Sequence, residues 1–244
     1  MTIAYGITYP FDACFAFNDY LIFTGNSGNG IGYEPWIIYS NTQTLSLLMD
    51  INPSNSSSVY SINSRYFEYN NKIFFGADDG INGCELWCTD LQNTYMVSDI
   101  SPGSQSSNPD PIIIYQNYLY FSATNYQISL YQQLYKTDGI NIIRIKEIFT
   151  LASPTFTNNW RYFAIYHNKL YFTGADYDNA VSGNYGLWVT EGTEVTTKLV
   201  TYKSNIPYVP CLPREFVVYN DALYFTAADG THEANRELFK LYEI

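Results

Sequence analysis

The stretch "ADDGINGCE" places Asp78, Asp79, Asn82 and Glu85 within nine residues. That is an oxygen-rich cluster of the kind a hard cation such as Ca²⁺ takes. The spacing departs from the D-x-[DN]-x-[DN]-G order of an EF-hand loop. A similar loop late in the chain, "AADGTHEANRE", keeps only Asp229 and Glu237. The aspartates equally suit capping of an Asp-Gly turn, and Glu85 suits bonding to loop amides. We adopt that second reading, and no metal or cofactor is expected.

Three other carboxylates are spaced for acid–base work. Asp12 and Asp110 each stand before an apolar inner strand, and Glu215 lies one place further along in a third such segment. Two carboxylates about 5–9 Å apart would support glycoside cleavage. Acidic residues before strands are also common turn caps, and no hydrolase signature surrounds these three, so no catalytic residue is assigned. Ser/His/Asp catalysis, a phosphate loop and a dinucleotide fingerprint are absent, with only two His in the chain. Cys84 and Cys88 bracket "ELW" without a second Cys pair, which argues against zinc. Cys14 and Cys211 open the inner strands of neighbouring repeats. A disulfide there is one reading; buried free thiols are the preferred one.

A different set of residues suits binding without chemistry. Neutral sugars are held by amide and hydroxyl partners for their OH groups and by an aromatic ring against their C–H face. Trp160, beside Asn158, Asn159 and Arg161, is the one Trp outside a recurrent series. Tyr185 and Tyr208 occupy loops of the same kind, as do Tyr33, Tyr126, Tyr131 and Tyr177. Arg161 and Arg214 hold matched positions one residue before an inner strand, placed to orient a ligand oxygen or to pair with a carboxylate. The candidate ligand-binding residues are therefore Trp160, Arg161, Tyr185, Tyr208 and Arg214. For any single Tyr, packing at a loop base is the competing role.

The elements that must position these residues are repeats. "FNDYLIFTGN", "YNNKIFFGAD", "YQNYLYFSAT", "YHNKLYFTGAD" and "YNDALYFTAAD" are five versions of one hairpin. Their second-strand residues Phe23, Phe75, Phe121, Phe172 and Phe225 fall 52, 46, 51 and 53 residues apart. Each turn carries Asn, Asp, Gln or His, types that tolerate positive φ. The flanks are apolar at successive positions, so those strands must be covered on both faces. A third strand follows each hairpin, with Trp36, Trp87, Tyr135, Trp188 and Phe239 at equivalent places, best read as blade-to-blade packing. A fourth strand follows in four units. The fifth unit reaches Ile244 without one, and "MTIAYGI" at the start supplies a spare.

These units predict a single all-β domain over residues 1–244, a five-bladed β-propeller of four-stranded blades. The blades span about 12–51, 64–100, 111–149, 161–203 and 214–244, with residues 1–7 as the N-terminal strand completing the last blade. Composition agrees: 18% of residues are aromatic and only 14% charged, against about 25% charged in an average domain.

At the third and fourth strands, "ELWCTD" followed by "MVSDISPGSQSSNP", and "LYFTAADGTHEANRELFK", resemble the bacterial ELWxxDGT repeat, also described as hyalin-repeat-like. Blade two matches from Asp78 to Pro109 and blade five from Ala228 to Phe239. The other blades keep fragments such as "DINPSNSSS" and "LYKTDG". The resemblance implies propeller-like repeats in surface proteins and supports the fold more than a function. In blade number and length the chain is also similar to the five-bladed animal lectins of the tachylectin-2 type, by architecture rather than motif.

In such a propeller the connections between strands two and three, and between blades, share one face. Here these are the long, variable ones, rich in Asn, Ser, Gly and Tyr. The net charge of −11 repels phosphate backbones, so nucleic acid is not an expected partner. No apolar run reaches the 18 or more residues of a membrane helix, so no membrane insertion is expected. No basic-then-apolar leader is visible at the start, which fits a cytoplasmic or unconventionally exported protein. The expected function is non-catalytic and lectin-like: carbohydrate binding through the loop-rich face, to a glycan or glycoprotein. A protein–protein interaction scaffold is the alternative, and a glycoside hydrolase comes third.

Overall fold

The computed structural model describes residues 14–59, 65–129, 132–148, 162–175, 185–200, 211–228 and 236–241. Among these the chain forms strands and no helix. Blade one is β1 (Cys14–Phe17), β2 (Tyr20–Gly25), β3 (Glu34–Tyr39) and β4 (Leu45–Leu47). Blade two is β5 (Phe67–Tyr69), β6 (Lys72–Asp78), β7 (Cys84–Thr89) and β8 (Thr94–Ser98). Blade three is β9 (Asp110–Tyr115), β10 (Tyr118–Ala123), β11 (Gln133–Thr137) and β12 (Ile142–Lys146). Blade four is β13 (Phe163–Tyr166), β14 (Lys169–Ala175), β15 (Tyr185–Thr190) and β16 (Lys198–Leu199). Blade five is β17 (Cys211–Tyr219), β18 (Ala222–Ala228) and β19 (Arg236–Leu241). Each group forms its own sheet in sequential order. These five meanders are the blades of a five-bladed β-propeller. The strand expected from residues 1–7 lies outside the described residues.

The hairpin turns explain why the repeat reads as it does. Asn70-Asn71, Gln116-Asn117, His167-Asn168 and Asn220-Asp221 all have φ between 44° and 58°. Two successive left-handed residues make the type I′ turn, whose twist matches that of the flanking strands. In blade one Asn18 takes φ 51°. The turns then set the register, for example Phe163 opposite Phe172 and Tyr166 opposite Lys169. The next ladder brings each strand-two Phe opposite a strand-three aromatic: Phe23 and Trp36, Phe75 and Trp87, Phe172 and Trp188, Phe225 and Phe239.

Two compact units are distinguished. The first comprises Met1–Pro111, Phe121–Leu130 and Thr137–Ile142; the second comprises Ile112–Tyr120, Tyr131–Lys136 and Ile143–Ile244. In the first, Phe17, Ile22 and Ile37 of blade one share a core with Phe75, Ala77 and Trp87 of blade two. In the second, Tyr115, Tyr120 and Leu134 of blade three meet Phe172 and Trp188 of blade four. Tyr166, Tyr171 and Leu187 of blade four likewise meet Phe225 and Ala227 of blade five. One face of a blade thus receives the aromatic pair of the next. That is why Leu170, Tyr171 and Phe172, successive along β14, are all buried.

Hydrogen bonds reinforce these contacts within the second unit. The Tyr115 hydroxyl donates to the Asn168 carbonyl at 2.6 Å, and the Tyr166 hydroxyl donates to the Asp221 carbonyl at 2.9 Å. In each case the tyrosine ending one inner strand reaches the tight turn of the following blade. Beside the second of these, His167 Nε2 lies 2.8 Å from Asp221 Oδ1 on the surface.

Candidate ligand-binding face

In blades one and two, strand three and the crossover to the next blade are tied together by buried carboxylates. Glu34, the first residue of β3, is fully buried. Its Oε2 accepts the Ile51 amide at 3.0 Å and the Ser58 hydroxyl at 2.5 Å, while Oε1 accepts the Ser58 amide at 3.0 Å. Glu85 repeats the arrangement in blade two. Its Oε2 accepts the Ile100 amide at 2.9 Å and the Ser107 hydroxyl at 2.6 Å, and Oε1 accepts the Ser107 amide at 3.1 Å. In blade three Gln133 takes the place, its Oε1 accepting the Ile148 amide at 2.8 Å. Blade four has Gly186 there, and a Cβ at that position would collide with the Leu199 side chain, which fills the room a longer residue would need.

Each carboxylate therefore clamps both ends of a crossover, the Ile after strand four and the Ser before the next blade. The crossover in turn serves its neighbours. Ser58 O accepts the Asp78 amide at 2.9 Å, and Ser107 O accepts the Thr124 amide at 2.8 Å. Gly83 and Gly32 have φ +70° and +76°, and a Cβ on either would press into crossover backbone, 2.8 Å from Ser106 N and 2.6 Å from Ser56 C respectively.

The electrostatics follow from burial. Desolvation lifts the Glu34 carboxyl to about 7, against the lowering pull of Ser58 and Ile51 and with a further push from Asp50. Glu85 is raised for the same first reason. The Cys84 thiol is pushed up to about 12 by burial, with Glu85 and Asp78 adding to it. The oxygen-rich loop of blade two is occupied by its own backbone. Asp78 Oδ1 accepts the Gly80 amide at 2.7 Å, and Asp79 Oδ1 accepts the amides of Ile81 and Asn82 at 2.9 and 2.8 Å. Burial opposes it, but these amides and the Asn82 side chain hold Asp79 below the ordinary aspartate range. No group of three or more His, Cys, Asp or Glu placed to hold a metal occurs among the described residues.

Of the residues expected to bind ligand, Trp160, Arg161 and Tyr208 lie outside the described residues. Tyr185 is the first residue of β15, paired with Ala175, rather than part of a loop. Arg214 does not precede its strand either. β17 begins at Cys211, and Arg214 lies inside it, opposite Thr226 at a break in register. The irregularity has a visible cause: Glu215 takes a left-handed φ of 56°, and Thr226 Oγ1 donates to Glu215 Oε2 at 3.2 Å. Asp110 is itself the first residue of β9, and Asp12 is not among the described residues. Cys14, Cys84 and Cys88 are free thiols, and Cys14 is exposed rather than buried. The serines paired with the clamping glutamates were missed by sequence reasoning. The signal was the serine runs in "NSSS" and "QSSN", whose bonding serines lie 24 and 22 residues beyond the glutamate of the E-x-W step.

No protein-family model and no curated protein matches this sequence. Among solved structures, the chain is similar to an α-L-arabinofuranosidase from Clostridium thermocellum, at 13% identity and TM-score 0.36, over 96% of this chain and 89% of that one. It is similar to a GH43 endo-arabinanase from Bacillus licheniformis at 12% identity and TM-score 0.34, over 98% and 95%. The β-propeller domain of the trilobed protease from Pyrococcus furiosus is similar at 12% identity and TM-score 0.47, over 96% of this chain and 66% of that one. At these identities the activities of those proteins do not transfer to this chain.

Proposed function

We propose that this chain is a non-catalytic, ligand-binding propeller that takes a neutral carbohydrate, free or on a glycoprotein, through its loop face. The observation that carries the reading is the occupation of four carboxylates of this face among the described residues. Glu34 and Glu85 are fully buried and bonded to backbone amides, and Asp78 and Asp79 are held by turn amides. Such groups are not available to protonate a leaving group or to activate water. What the same loops offer to solvent is amide, hydroxyl and aromatic surface, the chemistry that matches a sugar's hydroxyls and its C–H face. Trp160 is the proposed stacking ring, Tyr185 and Tyr208 are the further aromatic contacts proposed, and Arg161 and Arg214 are proposed to orient ligand oxygens.

A glycan array tests this, run beside hydrolysis of a panel of nitrophenyl glycosides. Binding of neutral glycans without turnover is the expected result. Turnover abolished by Asp110→Asn or Glu215→Gln would replace the reading by a hydrolase. A protein captured with no glycan bound would replace it by an interaction scaffold.

A further inference from the structure

We infer that Asn29-Gly30, in the connection from β2 to β3, is a site of spontaneous covalent modification, where the Gly30 amide closes on the Asn29 side chain and a neutral carboxamide becomes a carboxylate. The inference does not depend on the carbohydrate reading. The Gly30 nitrogen attacks Asn29 Cγ, the Cγ–Nδ2 bond breaks, and Nδ2 leaves as ammonia with the proton that the attacking amide gives up. Water then opens the cyclic imide at either carbonyl, giving aspartate or isoaspartate. The reaction takes no enzyme and no cofactor. It does need a following residue without a Cβ, so that the ring can close. That residue's amide must be unengaged, and the Asn side chain must be free to turn.

The described residues contain four steps open to this chemistry by sequence: Asn29-Gly30, Asp79-Gly80, Asn82-Gly83 and Asp138-Gly139. Hydrogen bonds close three of them. The Gly80 amide donates to Asp78 Oδ1 at 2.7 Å, and the Gly139 amide donates to Thr137 Oγ1 at 2.9 Å, so neither nitrogen is free to attack. Asn82 Nδ2 donates to Asp79 Oδ2 at 2.7 Å, and the Asn82 amide donates to Asp79 Oδ1 at 2.8 Å. That carboxamide is turned back to Asp79 and away from Gly83. Gly83 itself is lodged against the crossover, its Cβ position 2.8 Å from Ser106 N. Hydrolysis there would also set a second carboxylate against Asp79, like charge on like charge. Asn29-Gly30 has none of these restraints. Both residues are exposed, and neither makes a hydrogen bond among the described residues. Gly30 takes φ +85°, with nothing within 4 Å of its Cβ position, so the ring closes into open space. Asn82 must first break a bond to a charged acceptor, which slows it about tenfold or more relative to Asn29.

The test incubates the purified chain in mildly alkaline buffer, folded and in concentrated urea, and follows each step by chymotryptic digestion with fragment-ion mass spectrometry. In the folded chain Asn29 should convert to aspartate and isoaspartate about tenfold or more faster than Asn82. In urea the two rates should converge, because both steps then share the same local chemistry. Asn29→Gln should remove the fast conversion. Asp79→Ala, which releases the Asn82 carboxamide, should speed Asn82 in the folded chain. Equal rates at Asn29 and Asn82 in the folded chain, a faster Asn82, or an Asn29 that reacts only in urea overturns the inference. An Asp79→Ala protein that is folded and leaves the Asn82 rate unchanged overturns the protection assigned to Asp79. Should that variant fail to fold, the folded-against-urea comparison in the unaltered chain decides by itself.

Discussion

Replacing Glu85 by alanine removes the acceptor for three buried backbone amides at once, that of Ser101 the longest at 3.4 Å. Ile100 N and Ser107 N, at 2.9 and 3.1 Å from its carboxylate oxygens, would be left without a partner. Each orphaned buried amide costs about 1–3 kcal/mol. The Ser107 hydroxyl suffers less, since it already lies 3.3 Å from the Cys84 carbonyl and can turn to it. Some of the loss is offset, because burial raises the Glu85 carboxyl and its removal relieves that desolvation. The net expectation is about 2–4 kcal/mol. Glu85→Gln keeps one acceptor, as Gln133 does for the Ile148 amide, and should cost about 1–2 kcal/mol. Urea denaturation followed by tryptophan fluorescence measures both. A loss under about 0.5 kcal/mol for Glu85→Ala would mean that the crossover does not depend on its clamp.

Glu34→Gln should change how stability varies with pH. The folded carboxyl titrates near 7 rather than 4.5, so the folded state holds a proton that the unfolded state has released, and stability falls as pH rises from 4.5 to 7. Allowing for screening by nearby water, that slope should amount to about 1–2 kcal/mol and disappear in the Gln variant when denaturation curves are compared across the window. Tyr120 is fully buried and its hydroxyl has no partner among the described residues, while blade two places Phe74 at the same step. Tyr120→Phe should therefore be neutral or stabilise by up to about 1 kcal/mol in thermal unfolding; a loss above that would mean the hydroxyl is satisfied. Gly192→Ala should be destabilising by about 1–3 kcal/mol, because φ is +92° and the new Cβ would sit 2.7 Å from that hydroxyl. Asp110→Asn and Glu215→Gln should leave glycan affinity within about tenfold in calorimetric titration.

The fold was legible because its rules are local. A turn such as Asn70-Asn71 writes its own positive φ, and once two turns are aligned the Phe75–Trp87 pairing follows from period-two counting. The clamps were half legible. Glu85 could be assigned to loop amides from its place beside an Asp-Gly turn, but its serine partner lies 22 residues away, and only the shared sheet end brings them together. Gln133 and Gly186 at equivalent steps disguise the motif further, since blade four fills the space with Leu199 instead. The bulge at Glu215 was invisible for a different reason. Pro213 and an apolar run read as a plain strand, while the left-handed residue is a glutamate, which carries no turn signature. Of the candidate site, only Arg214 falls among residues whose side chains are described.

Isothermal titration of the chain with the strongest glycan from an array tests the central claim most directly. The loop sets differ between blades, so one or two unequal sites per chain are expected, with Trp160→Ala weakening the tighter one about tenfold or more while the fold stays intact. Five equal sites per chain, full affinity in the Trp160→Ala protein, or no heat of binding to any neutral glycan would contradict it.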